Sequence, residues 1–286
     1  MAIPIINDWE KYFTDPHEGL GSSYERIIIN RLLLDTAQEY GVMNVLESPS
    51  FGFTGMSGIN LIALADAGVE VTLEDDDPKR LDLISNAWRE LGRSLHAVHN
   101  PGYQELCHPD GSFDMSFSFS ALWFVPDLAA FLGELARVTK KVIFLSVPNR
   151  DGMGYKLQLK DYSPEKYPFL KIGNIDPPSI IRILQGLGWE LSTSGYFDCP
   201  PWPDIGMTKE ELLGKWLPAC PMGKCLSRPK KQAGEQISIL SYYSGRDPGF
   251  ADRMLHYQWF EKVSPVWVKR MWAHHFHMVF EPRQGS

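Results

Sequence analysis

The sequence predicts a doubly wound α/β fold. A mostly parallel, seven-stranded sheet carries helices on both faces, and a helical, aromatic insertion precedes the last strand. Strand-length apolar runs alternate with helix-length amphipathic runs from Val42 onward, the pattern of a parallel sheet built by crossover helices. A glycine-rich turn, ESPSFGFTGMSG, follows the first of those runs, at the carboxyl edge where such sheets bind ligands. The alternation lapses from about Asp198 to Arg270, where PPWPD, CPMGKC and RPKKQAGEQ are turn-rich and Trp, Tyr and His gather. That stretch is too long for a loop in a compact domain and reads as an insertion with its own helices.

The elements follow in order. SSYERIIINRLLLDTAQEYG is a helix with a broad apolar face, a capping box at Ser22 and Glu25, and a stop at Gly41. VMNVLE is the first strand, NLIALADAG a helix ending at Gly68, and VEVTLEDDDP a strand entering an acidic turn. PKRLDLISNAWRELG is a helix with Asp77 as N-cap, Pro78 in its first turn and Gly92 at its end. LHAVHN and FDMSFSFS are strands, PDLAAFLGELARV a helix and KVIFLSV a strand. PPSIIRILQGLGWEL reads as helix then strand, and HHFHMVFE as the last strand. Helices are expected in the insertion at MTKEELLGKWL and DPGFADRMLHYQWFEKV.

The 286 residues, 44% of them hydrophobic, suffice for a sizeable core. A formal net charge of -7 speaks against a general nucleic-acid binder. No apolar run is long enough to span a bilayer. The N-terminus lacks the basic and apolar regions of a secretory signal, so Cys107, Cys199, Cys220 and Cys225 are expected to be free thiols in a cytoplasmic protein. Cys220 and Cys225 lack the spacing and second pair of a zinc ribbon.

Glycines after the first strand remove side chains that would block a ligand. A carboxylate ending the second strand can accept both hydroxyls of a ribose. Asp75 sits at that exit, with Glu74 as the alternative, while Asp77 before Pro78 suits a helix cap. The even spacing of Gly52, Gly55 and Gly58 differs from the G-x-G-x-x-G of dinucleotide-binding dehydrogenases.

These residues resemble the class I S-adenosylmethionine-dependent methyltransferases. The resemblance covers Val42 to Val147 closely and the terminal strand more loosely. VLE with its glycine loop is similar to the family's first motif and VTLEDDDPKRL to its second. DGSFDMSFSFSALWFVPDLAAFLGELARVTKKVIFLSVPN resembles the fourth strand, the following loop and helix, and the fifth strand. The resemblance implies a Rossmann-like domain over 42–197 and 271–283, N-terminal cap helices over 1–41 and a lid over 198–270. It implies S-adenosylmethionine as cofactor. Glu47 would then orient the loop and the methionine part of the cofactor, the loop residues Pro49, Gly52, Gly55 and Gly58 would pass beneath the cofactor, Asp75 would hold the ribose and Asp76 would lie near the adenine. Ser118 and Ser120 would flank the sulfonium. The loop is longer than the family's usual one, with Pro49 where a glycine is common. The acid that usually meets the adenine is replaced by NPGYQEL, where Asn100, Tyr103 or Gln104 can substitute. Trp123 and Phe124 stand where many relatives carry histidines.

Methyl transfer needs alignment and exclusion of water, and a general base only where the nucleophile must lose a proton. No catalytic side chain is therefore assigned. The expected activity is methyl transfer to a small molecule. A protein methyltransferase and a non-catalytic binding protein of the same fold are the alternatives. Tyr12, His17, Tyr24, Trp123, Trp202 and Tyr257 are the candidate substrate contacts, although each is more readily a core or dimer-contact residue. A homodimer is compatible with these readings; no nucleic-acid or membrane partner and no metal is expected. His275 and His277 share one face of the last strand and read as hydrogen-bonded residues there.

Overall fold

The computed structural model describes residues 6, 9–15, 17–202 and 238–283. Seven strands form one sheet: β1 (Asn44–Glu47), β2 (Glu70–Asp75), β3 (His96–His99), β4 (Phe113–Phe119), β5 (Thr139–Pro148), β6 (Trp189–Phe197) and β7 (His275–Pro282). Their order is β3-β2-β1-β4-β5-β7-β6. All pairs are parallel except those of β7, which runs antiparallel to both β5 and β6. The chain thus winds outward from β1 in both directions, and the switch point lies between β1 and β4.

Period-two alternation assigns the two faces. Val45, Phe117, Phe144 and Val279 point into one core, packed by α1 (Gly19–Tyr40) and the helices of the insertion. Leu46, Ile143, Leu145, Met278 and Phe280 point into the other, packed by α4 (Leu128–Val138) and α6 (Pro177–Gly186). The remaining crossovers are α2 (Ile62–Asp66), shorter than NLIALADAG suggests, α3 (Pro78–Glu90) and α5 (Met153–Gln158). The Asp77 carboxylate caps α3, accepting from the backbone N–H of Lys79 and Arg80 at 2.9 and 3.2 Å. Gly41 ends α1 in the left-handed conformation.

At its other end α1 departs from the sequence reading. It begins at Gly19, and no side chain caps it. Ser22 lies inside the helix, and Glu25 is turned into the core toward His275 instead of back along the backbone. Tertiary partners for a buried carboxylate outweigh a local cap worth about 1 kcal/mol.

The insertion helix expected over DPGFADRMLHYQWFEKV is broken into α8 (Phe250–Leu255), a 3-10 turn (His256–Gln258) and α9 (Trp259–Val263). It is preceded by α7 (Ile239–Tyr243) and followed by α10 (Val266–Trp272). The expected helix at MTKEELLGKWL, Cys220, Cys225 and the RPKKQ run lie outside the described residues. Among the described residues no helix is long and apolar enough to cross a membrane.

Candidate active site

The carboxyl edge of β1, β2 and β4 carries the predicted cofactor residues. The loop after β1 is fastened to both neighbouring strands: the Ser48 N–H donates to Phe117 O and the Ser50 N–H to Glu74 O, each at 3.0 Å. The loop's glycines answer to the chain's own packing. A Cβ on Gly52 would lie 1.8 Å from the carbonyl oxygen of Phe119, so this backbone rests directly on the exit of β4. A Cβ on Gly55 would lie 2.7 Å from Oε1 of Glu18, and one on Gly58 would meet the Ile84 side chain. The space that the sequence reading leaves for a cofactor at Gly52 and Gly55 is therefore filled by β4 backbone and by Glu18.

Glu18 belongs to a buried polar network over this loop. It pairs with Arg26, and both side chains are fully buried. Arg26 also donates to Asn60 Oδ1 at 2.8 Å and Met56 O at 3.0 Å, and its guanidinium lies 3.8 Å from the ring centre of Phe53. Asn60 in turn donates to Glu47 Oε1 at 3.0 Å, while Glu47 Oε2 has no hydrogen-bond partner among the described residues.

Burial pushes the Glu47 carboxyl up to about 8, with Asn60 and Arg26 opposing the rise. Below the ordinary value of 4.5 the carboxyl is protonated folded and unfolded alike. Between 4.5 and about 8 the unfolded chain ionises first, so stability falls as pH rises; above about 8 it levels. The slope approaches about 1.4 kcal/mol per pH unit. Chemical denaturation across this window is expected to show that decline in the wild type and a flatter profile in Glu47→Gln.

Asp75 is fully buried and held by its own chain. Arg80 Nε lies 2.9 and 2.8 Å from its two oxygens and Arg80 Nη2 2.5 Å from Oδ1. Ser50 Oγ and the Asp77 N–H also donate to it. With both oxygens engaged, Asp75 does not face open space as a ribose ligand would. Glu74, the alternative, is equally occupied by Ser48, Asn100 and His108. The carboxylate that does face open space is the next one. The Asp76 side chain is 50% exposed, bonds Arg80 Nη2 at 2.7 Å, and borders a chamber of about 430 Å³. Burial, and then Asp75, raise the Asp76 carboxyl above its usual value against the pull of Arg80.

The chamber's other walls are Trp9, Pro49, Phe51, Arg80, Tyr103 and Phe124. Phe51 and Phe124 meet with ring centres 5.1 Å apart. The Arg80 guanidinium stacks 3.9 Å from Phe51 and 5.1 Å from Trp9. Tyr103 stands in a left-handed backbone conformation, and its oxygen accepts from the Asp76 N–H at 2.7 Å. Of the candidates for the missing adenine-side acid, Tyr103 lines the chamber, whereas Asn100 is tied to Glu74 and to Glu105 O. Arg80 went unread in the sequence because it looks like any helix-surface cation. The signal is its position four residues after Asp76 and five after Asp75.

Ser118 is buried with an unpartnered hydroxyl. Ser120, left-handed at φ 48°, bonds His275 Nδ1 at 2.9 Å. His275 is thus a hydrogen-bonded residue of the last strand, as the sequence reading has it.

The substrate candidates divide. Trp202 meets Tyr24 and Tyr257 edge to face, with ring centres 6.0 and 4.8 Å apart, and Tyr24 donates to Glu261 Oε2 at 3.3 Å. Tyr12 packs against the same core, and His17 forms a β-bridge to Ser238. Trp123 is buried in the opposite core. None of the six lines the chamber. A second cavity, of about 660 Å³, opens at the ends of β5 and β6 between Arg150, Tyr155, Lys156, Asp176, Tyr196 and Phe276. Cys107 and Cys199 are free; burial and the nearby Glu261 and Asp198 push the Cys199 thiol up to about 12, leaving it protonated and unreactive at neutral pH.

Residues 53–144 match the sequence profile of a methyltransferase domain. This span runs from the glycine loop through β2, β3 and β4 into β5, the same segment that carries the motifs. The chain carries a methyltransferase domain over this span, on a Rossmann-like sheet. Solved structures share its fold over nearly the whole chain. One from Galdieria sulphuraria, assigned as a sarcosine dimethylglycine methyltransferase, is 12% identical with a TM-score of 0.52, covering 89% of this chain and 85% of its own. The (4+2)-cyclase SpnF is 15% identical with a TM-score of 0.50, covering 90% and 81%. YcgJ of Bacillus subtilis is 12% identical with a TM-score of 0.50, covering 90% and 99%. No curated protein matches in sequence. At these identities the likeness is one of fold, and a cyclase on the same fold shows that the fold alone does not name the reaction.

Proposed function

We propose that the protein is an S-adenosylmethionine-dependent methyltransferase acting on a small molecule. The observation that carries this reading is the aromatic chamber at the exits of β1 and β2, with a half-exposed carboxylate on its wall. Its residues fit the nucleoside half of the cofactor. Phe51, Tyr103 and Phe124 offer ring faces to an adenine, and Asp76, not Asp75, offers acceptors to ribose hydroxyls. Arg80 holds the Asp75–Asp76 turn in place and, stacked on Phe51, fixes one wall of the chamber. When bound, the cofactor supplies an activated methyl carbon for in-line displacement. The chain's part is to orient the reactants and keep water out, and orientation supplies about 7–11 kcal/mol in favourable systems. The two cavities lie within the usual small-molecule range of roughly 300–1,000 Å³, which favours a metabolite over a protein surface as acceptor.

A second reading, a binding protein of this fold that transfers no methyl group, draws support from the filled space over Gly52 and Gly55. Incubating the protein with methyl-labelled S-adenosylmethionine and a cell extract separates the possibilities. Label in the small-molecule fraction is expected. Label on protein would move the acceptor to a macromolecule, and cofactor binding without any label would support the binding protein.

A further inference from the structure

We propose that Glu25, Asp198 and His275 form a binding site for one divalent transition-metal ion, where α1 meets the exit of β6 and the start of β7. Each residue offers one ligand atom, and the three atoms lie within 4.8 Å of one another. Metal–nitrogen and metal–oxygen bonds of about 2.0–2.2 Å put tetrahedral ligand atoms about 3.3–3.6 Å apart, so Glu25 and His275, which now meet directly, part to admit an ion. The residues stand 173 and 77 positions apart in sequence (198 − 25 and 275 − 198), and the fold brings all three into the interior.

The surroundings orient the ligands as the outer contacts of metal sites do. Ser120 Oγ holds His275 Nδ1 at 2.9 Å and directs Nε2 toward Glu25. His274 Nδ1 holds Asp198 Oδ2 at 2.6 Å. Ser120 and Asp198 both keep left-handed backbone, at φ 48° and 58°, so the segments that present and support the ligands carry conformations costly for residues other than glycine. Two carboxylates drawn out of water favour a cation between them. One imidazole nitrogen with two carboxylate oxygens suits Zn²⁺, Mn²⁺, Fe²⁺ or Co²⁺ better than Ca²⁺. An ion at Nε2 leaves the single ring proton of a neutral imidazole on Nδ1, where it is donated to Ser120 Oγ. The ion ties α1 to the β6–β7 edge beside the exit of β4. The site stands independently of the methyltransferase reading.

The test is titration of the metal-stripped full chain with Co²⁺, read by visible absorption, and with Zn²⁺ by calorimetry in two buffers of different protonation enthalpy. One equivalent is expected to bind, with no net release of protons. His275→Ala and Asp198→Asn are each expected to weaken binding at least tenfold, and His277→Gln to leave it unchanged. Absence of stoichiometric uptake by the folded wild type would overturn the site, as would equal affinity in His275→Ala and Asp198→Asn. If either variant fails to fold, anomalous scattering from wild-type crystals soaked in Co²⁺ decides. Signal between these three residues supports the site, and signal elsewhere or none rejects it.

Discussion

Arg26→Ala is expected to destabilise the fold by about 3–5 kcal/mol, because it strands the Glu18 carboxylate in the interior. Glu18 and Arg26 have no exposed side-chain surface, and Arg26 reaches four groups at once: Glu18, Asn60, Met56 O and the face of Phe53. Loss of the guanidinium unties α1 from the glycine loop and leaves Asn60 Oδ1 without its donor. The paired replacement Glu18→Leu with Arg26→Met removes both charges while keeping volume, and is expected to recover most of the loss. Denaturant midpoints at constant m-value measure both. A loss under 1 kcal/mol in Arg26→Ala would show that the network is hydrated and loosely held.

Gly52→Ala is expected to cost about 3 kcal/mol or more, at the upper end of overpacking effects, because the atom it would strike is backbone. The new methyl would sit 1.8 Å from Phe119 O and 2.9 Å from the Ser120 carbonyl carbon, and neither can rotate aside. Relief requires the β1 loop to lift from the β4 exit, which would also displace Ser120 from His275. Gly133→Ala is the matched control: it lies in α4 with nothing near its added methyl, and is expected to stabilise by about 0.5–1 kcal/mol. Thermal unfolding of the two variants beside the wild type reads the contrast.

Most of the fold was legible in the sequence because its signals are local. Asp77 before Pro78 and Gly41 after Tyr40 each declare a helix boundary through short-range chemistry. The strands of the parallel core are apolar enough to stand out by run length alone. The site was legible only in outline. Glu47, Asp75 and the glycines fall at the carboxyl edge of the sheet, but their partners are not legible, because Arg26 and Arg80 are ordinary helix residues until tertiary structure turns them inward. An arginine at 0 or 5% side-chain exposure cannot be distinguished from an exposed one by periodicity. The displacement of the open carboxylate from Asp75 to Asp76 follows from Arg80, Ser50 and the Asp77 N–H, which together occupy Asp75. The aromatic residues of the insertion were read as possible pocket walls, whereas Tyr24, Trp202 and Tyr257 spend their surfaces on one another. The walls of the chamber come instead from the loops after β1, β2, β3 and β4, from Arg80 and from Trp9.

The central claim is that the chamber bordered by Asp76 holds the nucleoside of the cofactor. Calorimetric titration with S-adenosylhomocysteine of the wild type and of Asp76→Ala tests it most directly. One site per chain is predicted in the wild type, with affinity at least tenfold weaker in the variant, a difference of about 1.4 kcal/mol. No binding to the folded wild type, or equal affinity in Asp76→Ala, would contradict it.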